Sequence, residues 1–171
     1  MVRPGAAIFE SLGEMPVKLE SATARIFQGL KTGADSVYIV DGLEVRSGQV
    51  LAFSRARNAE YWLESSILHP LVKGGDSEAY SLTRTRRLIL FPYSLKDKGG
   101  ASLIPEPTLK QELPLTWRYL TDNRKCLEER ESGKMRGASW YGYTRNQALD
   151  VMSQPKIFTP DLAMRASYSV D

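Results

Sequence analysis

Proline and glycine cut this chain into short pieces, and that limits the fold more than any other feature. The apolar run at residues 87–91 is halted at once by Pro92, the mark of a short buried strand. Residues 36–40 are β-branched and aromatic and read as a strand, with Asp41-Gly42 as a turn and residues 44–46 as the start of a return strand. Residues 49–53 and 156–158 read as further strands. Residues 19–27, ended by Gly29, and residues 58–65, with an Asn cap, read as short helices. The clearest helix spans residues 115–132, with Pro114 in its first turn and Gly133 past its end. A second runs over residues 145–152, where Thr144 and Gln147 fit a capping box. Residues 96–107 hold Gly99-Gly100, Pro105 and Pro107 and read as a loop. Short strands mixed with a few helices, without strict alternation, predict an α+β fold.

The length of 171 residues suits one domain. Residues 1–18 read as a lead-in arm, broken by Pro4, Gly5, Gly13 and Pro16. Residues 19–171 read as the domain. The net charge is +3, and residues 1–60 contribute nothing to it, with seven basic and seven acidic side chains. The surplus lies in the remainder, where Arg84, Arg86 and Arg87, Lys96 and Lys98, and Lys134 and Arg136 cluster. Two readings stay open here: a positive face suited to phosphates, or ordinary solvated charge. No run reaches the roughly 18 apolar residues of a membrane span, and the first residues lack a signal-peptide pattern. With a single cysteine, these features predict a cytoplasmic protein without membrane attachment.

Catalytic constellations are missing. His69 is the one histidine, placed before Pro70 in an apolar stretch, and a structural role is expected for it. Cys126 is the one cysteine and is expected to be buried or inert. A multi-histidine or cysteine-based metal site is excluded within one chain. Gly29-Leu30-Lys31-Thr32-Gly33 looks like a phosphate loop but lacks the Gly-Lys-Ser/Thr ending. Phe91-Pro92-Tyr93 resembles part of the Asn/Asp-Pro-Pro-aromatic tetrapeptide of amino-methyltransferases, but has one proline and no polar residue before it.

Six blocks in fixed order carry a stronger signal. They are Gly29, Thr32, Gly33 and Asp35; Pro70, Leu71, Val72, Lys73, Gly74, Asp76 and Tyr80; Leu90 to Tyr93; Pro114, Trp117, Tyr119 and Leu120; Trp140-Tyr141; and Lys156-Ile157. Their order and spacing, over about residues 19–158, resemble the target-recognition domain of TaqI-like adenine-specific DNA methyltransferases and of the fused restriction-modification enzymes related to them. The family continues past the point where this chain stops, and in it a catalytic half precedes this domain. The resemblance therefore implies a fragment that reads double-stranded DNA. Catalysis and S-adenosylmethionine would belong to the catalytic methyltransferase domain of the parent, with no cofactor in the fragment.

On that resemblance the candidate DNA contacts are Lys31 and Thr32 on the glycine-flanked turn, Lys73 before Gly74-Gly75, and Arg84 and Arg86, which alternate before a strand. Lys134 and Arg136 follow the long helix, and Trp140 and Tyr141 are candidates for stacking. For the last pair a place in the core is the competing reading. The alternative function is an interaction module that docks another subunit through the long helix, its basic surface incidental. An enzyme in its own right is a third.

Overall fold

The computed structural model describes residues 10–159 and 168–170, apart from residues 12, 19, 20, 22, 79 and 98. Residues 1–9 of the expected arm lie outside them. The expected helix at 19–27 falls partly outside as well; Ser21 is helical, and residues 23–27 are irregular. Among them Ile26 is 63% exposed and Phe27 half-buried.

An α+β architecture is what the chain adopts. A one-turn helix α1 (Asp35–Tyr38) leads into a meander of β1 (Ile39–Arg46), β2 (Gln49–Ser54) and β3 (Ala59–Glu64). After β4 (Leu68–Pro70), a small hairpin forms from β5 (Ser77–Glu78) and β6 (Ser81–Leu82). The strand β7 (Arg87–Leu90) then returns to the centre, giving a five-stranded antiparallel sheet in the order β3-β2-β1-β7-β4. A second hairpin, β8 (Tyr93–Leu95) and β9 (Ala101–Leu103), precedes the helices α2 (Glu106–Glu112), α3 (Pro114–Asp122), α4 (Arg124–Glu128) and α5 (Arg130–Gly133). The strands β10 (Ile157–Phe158) and β11 (Ser169–Val170) form a third. Among the described residues no helix is long and apolar enough to cross a membrane.

Several expectations are corrected by packing. Residues 36–38 are helical rather than extended, and the strand starts at Ile39. Both Val37 and Tyr38 are fully buried, which one turn of helix lying against the core achieves. Asp41-Gly42 is not a turn. The strand runs through it with a bulge, and the chain reverses at Ser47-Gly48. Gly42 sits in close quarters: a Cβ there would lie 3.1 Å from the end of the Leu88 side chain, which would have to give by a few tenths of an ångström. Residues 59–64 form a strand, not a helix. Asn58 has φ +49 and closes the hairpin instead of capping a helix. The pairing of Tyr61 and Trp62 with Ala52 and Leu51 fixes the extended form.

The long helix is broken. Its first piece, α3, is capped by Glu64, whose carboxylate accepts from the backbone N–H groups of Leu115 and Thr116, each at 2.9 Å, and from Thr116 Oγ1 at 2.6 Å. That carboxylate satisfies free donors at the positive end of the helix. At Asn123 the backbone leaves the helical region (φ −100, ψ 4). Glu131 and Ser132 adopt left-handed conformations. The expected helix at 145–152 shrinks to a single 3-10 turn at Leu149–Val151, because Ala148 before it has φ +56. The expected loop at 96–107 contains β9 and the start of α2.

The core is unusually rich in tyrosine. Tyr38 donates to the carbonyl of Tyr141 at 2.8 Å, Tyr119 to that of Val37 at 2.6 Å, and Tyr143 to that of Leu90 at 2.6 Å. Tyr93 accepts from the Tyr143 N–H and donates to Asn146. Each ring fills volume while its hydroxyl ties a loop to the sheet. Burial pushes the hydroxyls of Tyr93 and Tyr119 up to about 12, and those of Tyr38 and Tyr143 upward as well.

These tyrosines make alkaline stability predictable. Below about pH 10 the folded and unfolded chains hold the same phenolic protons. Above it the unfolded chain releases protons that the folded chain keeps, so stability falls as pH rises towards about 12. The melting temperature followed by circular dichroism is expected to drop steeply across this window. A melting temperature that holds flat through it would contradict the buried, neutral network.

Candidate nucleic-acid interface

Two of the motif turns are joined by side chains. In the first, Thr32 is buried, and its hydroxyl donates to Asp35 Oδ1 at 2.7 Å while accepting from the Ala34 N–H at 3.1 Å. This Thr-to-Asp closure sets the entry to α1. In the second, the N–H of Lys73 donates to Asp76 Oδ2 at 2.7 Å, and the N–H of Asp76 returns to the Lys73 carbonyl at 2.8 Å. Asp76 also takes an ion pair from Arg87, which anchors the turn on the sheet. Lys73 Nζ then reaches Asp35 Oδ2 at 3.1 Å and bridges the two turns.

A third segment closes the group. Lys31 and Arg145 form a backbone bridge, and the Thr144 N–H donates to the Thr32 carbonyl at 3.3 Å. Gly33 has φ +72, and a Cβ on it would lie 2.2 Å from Thr144 Cγ2. Only glycine permits this approach. The result is an open cleft of about 440 Å³ lined by Gln28, Lys31, Gly33, Asp35, Glu131 and Arg145, among others. Its rim carries cations on loops held from beneath.

Arg130 is what holds them. Only 8% exposed, it donates to the carbonyls of Leu127 and Thr32 at 2.8 Å, Trp140 at 2.7 Å and Gly142 at 2.9 Å. Its guanidinium also lies 5.5 Å from the centre of the Tyr38 ring.

The expected contacts fall into two groups. Lys31, Lys73, Arg84, Arg86, Lys134 and Arg136 are exposed. Arg84 and Arg86 sit on the segment between β6 and β7, and Lys134 and Arg136 follow α5. Thr32, Trp140 and Tyr141 are 2%, 1% and 2% exposed. Thr32 is committed to its turn. Trp140 and Tyr141 pack on Trp117, with ring centres 5.6 Å from it in each case. Their rings therefore support the surface from below and present no stacking face. Arg145 was missed by the sequence reading; its place beside Thr144 in a short polar run gave no signal without knowledge of the bridge to Lys31.

The groups set aside for catalysis remain apart. His69 lies on β4 with its ring edge-on to Phe91 at 5.6 Å, and burial lowers its pKa. Cys126 is exposed on α4 rather than buried. Among the described residues no group of three or more His, Cys, Asp or Glu side chains could hold a metal ion.

Comparison with known proteins gives a coarse relation. No family model matches the chain. The chain is 24% identical over 140 residues to the Type II methyltransferase M.BstVI of Geobacillus stearothermophilus. The similarity covers 82% of the chain and 21% of the relative, so the chain spans about a fifth of the length of the protein it matches. This supports a relation to type II methyltransferases.

Gly33 offers a direct check on the cleft. Gly33→Ala is expected to cost about 2–4 kcal/mol, from left-handed strain plus the clash with Thr144. The urea midpoint should fall accordingly. Adding Thr144→Ala should recover the steric part and leave about 1–2 kcal/mol of strain. A Gly33→Ala chain as stable as the parent would show that the approach is looser than described.

Proposed function

We propose that this chain is the DNA target-recognition domain of a type II, adenine-specific DNA methyltransferase. It would read double-stranded DNA for a catalytic domain elsewhere in the same polypeptide. The observation that carries this reading is the similarity to a type II methyltransferase through 82% of the chain but only 21% of that relative. A part that small, without an evident catalytic constellation, suits recognition better than chemistry.

The geometry supports the same reading. Lys31 and Arg145 line one cleft, Lys73 is paired with Asp35 of its lining, and Arg84 and Arg86 lie on the segment that enters β7. Such cations would contact phosphates and fix the register, and arginine forks would read guanine edges in the major groove. The target adenine would be flipped out of the duplex and handled by the catalytic domain. S-adenosylmethionine would bind there too. The turn bounded by Gly29 and Gly33 precedes α1 instead of linking a strand to a helix, so it does not fit that cofactor, and no chemical step is assigned to this chain.

The alternative of docking through a long helix has no observation in its favour. The exposed faces of residues 115–132 that would form such an interface are not one continuous surface, because the helix is broken at Asn123.

Fluorescence anisotropy with a labelled random duplex, titrated with salt, tests the proposal. Affinity should fall log-linearly with salt concentration. The charge reversals Arg84→Glu and Arg86→Glu should weaken binding, and replacing both arginines by alanine should lower the slope by about two. Absent or salt-independent binding would overturn the assignment.

A further inference from the structure

The β5–β6 hairpin carries a residue that the fold itself does not need. Tyr80 lies in the two-residue connection between these strands and is 95% exposed. Its φ is +60, a left-handed conformation that suits glycine, asparagine or aspartate. A bulky aromatic there costs backbone strain, and a fully exposed ring returns no packing energy to offset it.

The backbone of Tyr80 is nevertheless tied down. The Tyr80 N–H donates to the Tyr168 carbonyl at 2.8 Å, and at the base of the hairpin the hydroxyls of Ser77 and Ser169 meet at 2.7 Å in a buried contact. The segment beside β11 thus props the strained turn from behind. The Thr83 N–H donates to the Asp76 carbonyl at 2.9 Å, which ties the arm leaving β6 to the Lys73 turn. On that arm Arg84 and Arg86 are exposed and, among the described residues, have no ion-pair partner, whereas Arg87 is occupied by Asp76. Arg84 is four residues from Tyr80 and cannot be more than about 14 Å of chain away.

From this we infer that the β5–β6 hairpin is a stacking finger for DNA. The Tyr80 ring packs against a base exposed by local unstacking of the duplex, while Arg84 and Arg86 hold the flanking phosphates. The inference rests on the DNA-reading function proposed above and names the residue that enters the helix. A two-stranded hairpin fits the major groove. A rigid, amphipathic ring at its tip stacks on any base, because every base has a π face.

The test compares two labelled duplexes of about 30 base pairs, one fully paired and one with a single unpaired nucleotide, where unstacking is already paid for. The wild-type chain should prefer the second by on the order of tenfold. Tyr80→Ala and Tyr80→Gly should lose that preference, Tyr80→Phe should keep it, and all of them should retain the salt slope. Tyr80→Gly should also melt at an equal or higher temperature, since glycine relieves the strain. Preference retained in the alanine and glycine variants, or absent from the wild type, would overturn the finger while the recognition domain stands. Failure of the wild type to bind either duplex would overturn both.

Discussion

A buried guanidinium without a carboxylate partner among the described residues is the interaction on which the rest of the structure depends. The charge of Arg130 is solvated by four backbone carbonyls drawn from three stretches of chain: Thr32, Leu127, and the pair Trp140 and Gly142. A lysine could not replace it, because a single ammonium has neither the reach nor the planar fork to serve carbonyls on several sides. The first motif turn, the helix run and the aromatic segment therefore have fixed positions relative to one another. The left-handed backbone at Glu131 and Ser132 is tolerable in that context, since the residue before them is anchored on both sides.

The buried tyrosines extend the same logic to the sheet. Tyr38 lies beneath Arg130 and donates to Tyr141; Tyr143 ties the aromatic segment to β7; Tyr119 ties α3 to both Val37 and Ser54. Irregular backbone between residues 137 and 148 would be a weak foundation by itself. It becomes one because its carbonyls and N–H groups are used by side chains from the regular elements. The loops above are thereby held without secondary structure of their own.

Much of this was legible in the sequence where local chemistry decides. The strands at 49–54 and 87–90, the helix start at Pro114 and the stop at Gly133 follow from breakers and apolar runs. Elsewhere tertiary context overrode local preference. Residues 58–65 carry a plausible cap and a helical pattern, yet six residues of pairing with β2 win. Asp41-Gly42 reads as a turn, yet pairing with β2 carries the strand through it with a bulge. The site divides the same way. Exposed lysines and arginines could be named from charge alone. Arg130 could not be told from its neighbours Arg124 and Lys125, because nothing local marks a buried arginine. Tyr80 could be named as part of a motif, but its exposure and backbone angle belong to the folded hairpin.

The bond between Lys73 and Asp35 shows how such a surface can be both ordered and available. Lys73 and Asp35 side chains are 43% and 60% exposed, so the pair sits in water and is worth little, of order 0–1 kcal/mol. It favours a lysine position over the seam between the two turns without fixing it there. In the DNA-reading role proposed above, a phosphate oxygen would compete with Asp35 for the ammonium, against the repulsion of that carboxylate. Asp76 is only 10% exposed at its side chain and bound to Arg87 and to backbone, so it does not exchange and keeps the turn in shape. The division between a buried, fully bonded layer and a loosely paired outer one is what a surface needs if it is to meet a highly charged ligand without rearranging its own fold.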